Sequence, residues 1–174
     1  MGAAWRLVAD GPEATMRVGE ALAERLAAGD VVALYGPLGA GKTTLVRGLA
    51  RGLGAPEGAV VSPTFVYVRE VRGGRLALYH VDAYRLVGRL DDEQARMLME
   101  QLGLDWYLEA GGVVAVEWPE PIEASLPPER LVARLDFAGW PEGRILTLQG
   151  LGERPARLLE ELAGRHGWRP VEGA

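Results

Sequence analysis

Residues 34–44 read Leu34-Tyr35-Gly36-Pro37-Leu38-Gly39-Ala40-Gly41-Lys42-Thr43-Thr44, and they match the phosphate-binding loop pattern G-x-x-x-x-G-K-[ST]. Upstream, Asp30 leads into the short apolar run 31–35, which reads as a buried strand. Downstream, Leu45, Val46, Leu49 and Ala50 recur at helical spacing, so the glycines fall where a strand feeds a helix. Gly36, Gly39 and Gly41 leave the backbone free to wrap an anion. The amides of Leu38, Gly39, Ala40, Gly41, Lys42, Thr43 and Thr44, with the positive end of the following helix, then face a nucleotide phosphate. Lys42 adds a point charge near the β and γ phosphates, and the Thr43 hydroxyl is the expected Mg²⁺ ligand. Lys42 is expected to face solvent while the loop is empty.

Composition sharpens this reading. Lys42 is the only lysine, against 18 arginines. A planar guanidinium is too large for a loop closed around one phosphate group, whereas a compact ammonium fits. Serine and threonine together number seven, and four of them stand at Thr43, Thr44, Ser62 and Thr64. Scarce hydroxyl chemistry is concentrated in two short stretches.

The chain of 174 residues is expected to form one domain with a sizeable core, residues 165–174 fraying at its end. Zero cysteine excludes disulfides, cysteine-bound zinc and thiol nucleophiles. No apolar run is long enough for a membrane span and no signal-peptide pattern is present, so no membrane association and a cytoplasmic location are expected. A formal charge of −5 argues against an unaided nucleic-acid grip, so any RNA link would run through a partner.

Around the loop, residues 5–9 read as a first strand and 12–28 as a helix that Gly29 stops. Ser62-Pro63-Thr64-Phe65 is either a rigid loop presenting two hydroxyls or a turn opening the next strand. Residues 65–71 and 75–81 form a hairpin around Gly73-Gly74, and the second strand delivers His80-Val81-Asp82. Asp82 ends an apolar strand, where phosphate-loop proteins hold a carboxylate facing magnesium. His80 lies on the same face, as a core residue or a contributor to chemistry. Residues 90–102 and 104–108 read as helices separated at Gly103. In Val113-Val114-Ala115-Val116-Glu117, four apolar residues run directly into a carboxylate that needs a cation or a donor. Within reach of Thr43, Glu117 would be the second protein contact to Mg²⁺; otherwise it is a solvated strand-end acid. Residues 131–137 and 144–148 form a second hairpin whose turn carries Trp140, and 153–163 a closing helix. Together these elements predict an α/β, P-loop NTPase-like fold: a mainly parallel central sheet flanked by helices, with antiparallel hairpin additions.

Three functions compete for such a loop. A GTPase lacks its signatures here, because Asp82 is followed by Ala83-Tyr84-Arg85 and the chain has no asparagine for a guanine-reading motif. A small-molecule kinase would add an arginine-rich lid, yet the arginines are dispersed. A non-hydrolysing, nucleotide-gated binding module would bind ATP without turnover.

In order and spacing, GPLGAGKTT, SPTF, HVDAYRL and VEWP resemble the TsaE (YjeE-type) family, the ATPase of bacterial threonylcarbamoyladenosine tRNA modification. Glu13-Ala14-Thr15 and Gly19 extend the resemblance over roughly 12–148. It implies ATP in the loop, with Thr15 among the nucleotide contacts, and Mg²⁺ held by Thr43 and Glu117 with Asp82 beside them. Lys42, Asp82, Thr64 and Glu117 are the implied catalytic set, with SPTF switch-like. The resemblance further implies action with TsaB and TsaD on the adenosine of ANN-decoding tRNAs, the tRNA being met only through that complex. Two departures from the family pattern, Pro37 for an acidic residue and Ala83 for leucine, lie beside backbone contacts and disturb little.

Overall fold

A computed structural model describes residues 3–61 and 67–171. Ser62 and Thr64, with the start of the strand expected from Phe65, lie outside the described residues. In chain order the elements are β1 (Ala4–Ala9), α1 (Pro12–Ala23), β2 (Val31–Tyr35), α2 (Lys42–Gly52), β3 (Val68–Val71), β4 (Leu78–Asp82), α3 (Asp92–Gln101), α4 (Leu104–Glu109), β5 (Val113–Glu117), β6 (Arg130–Phe137), β7 (Arg144–Leu151), α5 (Glu153–His166) and β8 (Arg169–Pro170), with short 3-10 turns at Tyr84–Leu86 and Glu120–Ser125.

One eight-stranded sheet runs in the order β3-β4-β5-β2-β6-β7-β1-β8. Its centre is parallel, β4 with β5, β5 with β2 and β2 with β6, while both flanks are antiparallel. β2 and β5 are buried along their whole lengths. That is what strands covered on both faces require, and it explains their unbroken apolar runs. Side chains alternate between the two faces. Leu78, Val113, Ala115, Val32 and Leu34 meet the helices α1, α2 and α5. Tyr79, Val81, Val114, Val116 and Ala33 meet α3 and α4. His80, Asp82 and Glu117 share the period of the first set and so face α2.

Helix α2 is pinned by its neighbour. A Cβ on Gly48 would lie 2.1 Å from the Met16 carbonyl oxygen, one on Gly19 2.5 Å from that of Leu45, and one on Gly52 2.6 Å from the Ala23 Cβ. At Gly48 and Gly19 the two backbones therefore meet with no side chain between them, which fixes the helix that carries Thr43.

Three of the boundaries that differ from the sequence expectation are set by contacts with segments distant in the chain. Helix α1 ends at Ala23, not at 28, since the Arg75 guanidinium bonds the carbonyls of Ala23 and Leu26 while Asp30 Oδ2 accepts the Ala27 amide at 2.7 Å. Leu26 stays buried without being helical. β4 starts at Leu78, because Arg75 donates its amide to Leu53 O at 2.8 Å and is held against the end of α2. The tail expected to fray from 165 is ordered to 171: α5 continues to His166, Trp168 packs on the core, and Arg169–Pro170 pair with β1.

The glycine contacts give a paired expectation. Gly48→Ala should destabilise the protein by about 1–3 kcal/mol, as overpacking does. Gly164→Ala, in open space on α5, should stabilise it by roughly 0.5–1 kcal/mol. Thermal melts of both variants check this; a Gly48→Ala protein that melts with the wild type contradicts the close crossing.

Candidate nucleotide site

The loop between β2 and α2 owes its shape to glycine. Gly36, Gly39 and Gly41 have φ of 140°, 79° and 100°, a region that side chains rarely enter. A Cβ on Gly36 would stand 2.3 Å from Leu135 O on β6. The loop is thus pressed against the neighbouring strand. Its outer side is held by Arg144, at the start of β7, whose guanidinium donates to Gly39 O and Ala40 O at 3.1 Å each and to Gly143 O at 2.8 Å. Because a trans peptide points its N–H opposite to its carbonyl, the Gly41 amide faces away from Arg144. Nothing in the local sequence signals Arg144, which lies more than a hundred residues from the loop it braces.

Lys42 does not face solvent as expected. It is 4% exposed, and its Nζ donates to Gly36 O at 2.5 Å and Pro37 O at 2.9 Å while lying 3.9 Å from the centroid of the Trp118 ring. Burial pulls the lysine below its usual pKa, with Glu117, Glu120 and Asp82 opposing. Among the described residues Trp118 is the only non-glycine with positive φ, at 55°. Such strain persists only where surroundings over-determine it. Here the Tyr84 ring, 4.9 Å away, and the lysine hold the indole in place.

The strand-end acids meet α2 as the metal reading requires. Parallel pairing sets Asp82 opposite Glu117, and Thr43 Oγ1 donates to Glu117 Oε1 at 2.8 Å. His80 Nε2 reaches the same oxygen at 2.8 Å. Asp82 Oδ1 accepts the Tyr84 amide at 2.9 Å. Burial pushes the Asp82 carboxyl up, an effect that the Tyr84 amide opposes and Glu117 reinforces. A cavity of about 290 Å³ gathers Leu38, Gly39, Gly41, Lys42, Thr43 and Thr44 with Asp82, Tyr84, Glu117 and Trp118. Of the other expected contacts, Gly36 and Ala40 shape the loop from beneath. Thr15 is buried with its hydroxyl on Gly11 O at 3.3 Å, and its methyl lies under Gly41. Larger hollows elsewhere, such as the one of about 630 Å³ beside Arg47 and Arg51, hold none of these groups.

The donor set suits a hard cation that keeps waters and shares phosphate oxygens: one hydroxyl and two carboxylates, all oxygen. Among the described residues no three His, Cys, Asp or Glu side chains cluster as a self-sufficient metal cage. Mg²⁺ arriving with a nucleotide needs none. Tyr35, the last residue before the loop, steadies the strand end by donating to Glu123 at 2.8 Å beneath the Arg134 guanidinium, and its phenol is pushed up to about 12, first by burial and then by Glu123.

Glycine cradle, buried lysine, helix-borne threonine and paired strand-end acids on a parallel sheet define a protein of the P-loop NTPase-like class. Comparison with known proteins narrows this. Residues 9–143 match the family described as threonylcarbamoyl adenosine biosynthesis protein TsaE. The tRNA threonylcarbamoyladenosine biosynthesis protein TsaE of Bacillus subtilis is 44% identical over 162 residues, covering 93% of this chain and 94% of the relative. That of Streptomyces coelicolor is 49% identical over 153 residues, covering 84% and 98%. The crystal structure of Bacillus subtilis YdiB superposes with a TM-score of 0.75 at 36% identity, covering 96% of this chain and 98% of that one. The chain belongs to the TsaE family. No helix among the described residues is long and apolar enough to cross a membrane.

Burial of Asp82 yields a stability prediction. Its folded pKa lies above the usual 3.8, so the fold meets no penalty below that value, and a penalty grows as pH rises through the raised one. Asp82→Asn keeps the acceptor for Tyr84 and removes the buried charge. It should raise the melting temperature at neutral pH by about 2–4 °C, on the order of 1 kcal/mol, and the gain should shrink towards pH 4. Melts across that range that show a loss at neutral pH would contradict it.

Proposed function

We propose that this protein is a Mg²⁺-dependent ATPase that serves threonylcarbamoyladenosine modification of tRNA as an accessory subunit, acting with TsaB and TsaD and meeting tRNA only through them. The observation that carries the reading is the hydrogen bond from Thr43 to Glu117. It joins the phosphate loop to the strand-end carboxylate, so two oxygen donors converge beside Lys42. The family's relatives are named for tRNA threonylcarbamoyladenosine biosynthesis, and the absence of a guanine-reading motif favours ATP over GTP.

The geometry supports the following roles. Lys42 leaves the carbonyls of Gly36 and Pro37 for the phosphates, so its present bonds hold the ammonium in readiness. The Gly39 amide in the loop and the Gly41 and Thr43 amides at the head of α2 donate to phosphate oxygens. Mg²⁺, when bound, neutralises charge on the phosphates. Thr43 and Glu117 would hold it, with Asp82 beside them. Asp82, buried and opposite Glu117, orients the attacking water. Thr15 supports the loop from below, and Thr64 belongs to the segment expected to switch. The cytoplasm is the compartment where ATP and tRNA are both available.

Two measurements test this. Glu117→Gln should weaken nucleotide binding in the presence of Mg²⁺ by about tenfold or more and leave binding in EDTA nearly unchanged, because its part is played through the metal. An equal loss in both conditions contradicts that role.

Partner control is the second. Parts missing from a phosphate-loop site can be supplied in trans, with rate effects of roughly 10³ to 10⁵. Slow turnover by the isolated protein and acceleration on adding TsaB and TsaD are expected, with Asp82→Ala removing the stimulated rate. Equal turnover alone and in the mixture would refute partner control, and tight ATP binding with no turnover in either would favour the non-hydrolysing module.

A further inference from the structure

His80 is fully buried in the middle of β4. It pairs across the sheet with Ala115 and lies two residues before Asp82, which pairs with Glu117. The small Ala115 side chain leaves the face beside the imidazole open, so the ring reaches diagonally to the carboxylate one pair further on. Glu117 Oε1 then takes two contacts at 2.8 Å, from Thr43 on α2 and from His80 on β4.

The tautomer follows from the burial. His80 Nδ1 is buried with no hydrogen-bond partner. A proton on Nδ1 would leave a buried donor unmet and set the Nε2 lone pair against a carboxylate oxygen. With the proton on Nε2, the ring donates to Glu117 and only an acceptor goes unpaired. An unmet buried polar atom costs stability, and a leucine would fill the same space without that cost. The imidazole is therefore poorly explained as core filling.

We infer that His80 is a positioning residue: its Nε2–H donates to Glu117 Oε1 and, with Thr43, fixes the carboxylate in the orientation that receives Mg²⁺. Resting on the magnesium reading above, this assigns a task to a side chain that touches neither nucleotide nor metal. One donor lets a carboxylate turn about its last side-chain bond; two donors from separate elements set its plane. Partners that orient a metal-binding group this way are worth about 10–100-fold in metal affinity. Thr43 donates its hydroxyl proton in a hydrogen bond to Glu117, which leaves an oxygen lone pair that would be available to the metal. His80 thus carries the share of the carboxylate that Thr43 cannot hold alone.

The test uses the full chain, a non-hydrolysable ATP analogue and calorimetry in EDTA and in Mg²⁺. His80→Leu should reduce the gain in affinity conferred by Mg²⁺ by about tenfold with the EDTA value within about twofold of wild type, and His80→Gln, whose amide nitrogen replaces Nε2, should recover it to within about threefold. A folded His80→Leu that keeps the full magnesium gain overturns the inference. So does a His80→Gln that loses the gain while melting like the wild type, and this variant decides if His80→Leu does not fold. Long-range proton–nitrogen NMR of the wild type, simple with two histidines in the chain, should report the Nε2–H form at His80; an Nδ1–H ring overturns it as well. If the wild type itself gains nothing from Mg²⁺, the magnesium reading fails, while the NMR result still shows whether His80 donates to Glu117.

Discussion

A carboxylate cannot be buried alone, and the arrangement of this protein turns on how Glu117 escapes that penalty. The acid sits at the end of a strand covered on both faces, 3% exposed. Unpaired there it would destabilise its surroundings. Its donors are Thr43, from the helix that opens the phosphate loop, and His80, from the adjacent strand. Satisfying one charge therefore ties together the three elements that a nucleotide site needs. The strand register does the rest, because it brings Asp82 level with Glu117.

That bond is useful only if α2 cannot drift. The glycine contacts with α1 hold it on one side, and the buried leucines Leu45 and Leu49 hold it against the sheet. The loop itself is clasped from outside the local sequence by Leu135 and Arg144 on the β6–β7 hairpin. The antiparallel flank of the sheet thus positions the parallel centre: it brings a guanidinium to carbonyls that would otherwise be free to turn towards the ligand.

The site is held under strain. Lys42 is buried where burial disfavours its charge, Asp82 is pushed up for the same reason, and Trp118 adopts a backbone conformation that suits glycine. None of these helps the empty protein to fold. The proposed ligands would offset the two charge costs: the lysine would gain an anion, and the carboxylates a cation. A site of this kind gives up stability for readiness to bind.

Much of the protein was legible in one dimension, for a definite reason. The loop motif, the continuous apolar strands and the helical spacing of α2 are local patterns whose meaning depends on neighbours a few residues away, so the parallel α/β core and the placement of Lys42, Thr43, Asp82 and Glu117 on the loop, the helix start and the strand ends could be read from 36–44, 80–82 and 113–117. Burial of Lys42 could not, because it depends on Trp118 folding back over the ammonium. The end of α1 could not be read locally either, because Arg75, far along the chain, supplies the donors that let the helix stop. The ordered tail and the brace from Arg144 are likewise contacts between segments remote in sequence. His80 stands between the two cases: period-two alternation placed it on the face of Asp82, but only the parallel register of β4 against β5, with alanine opposite, shows that its ring meets Glu117. The sequence alone determines which chemistry the chain carries and on which elements. The tertiary structure decides which of those groups touch, because hydrogen bonds between buried groups depend on register and packing distance, which no local pattern encodes.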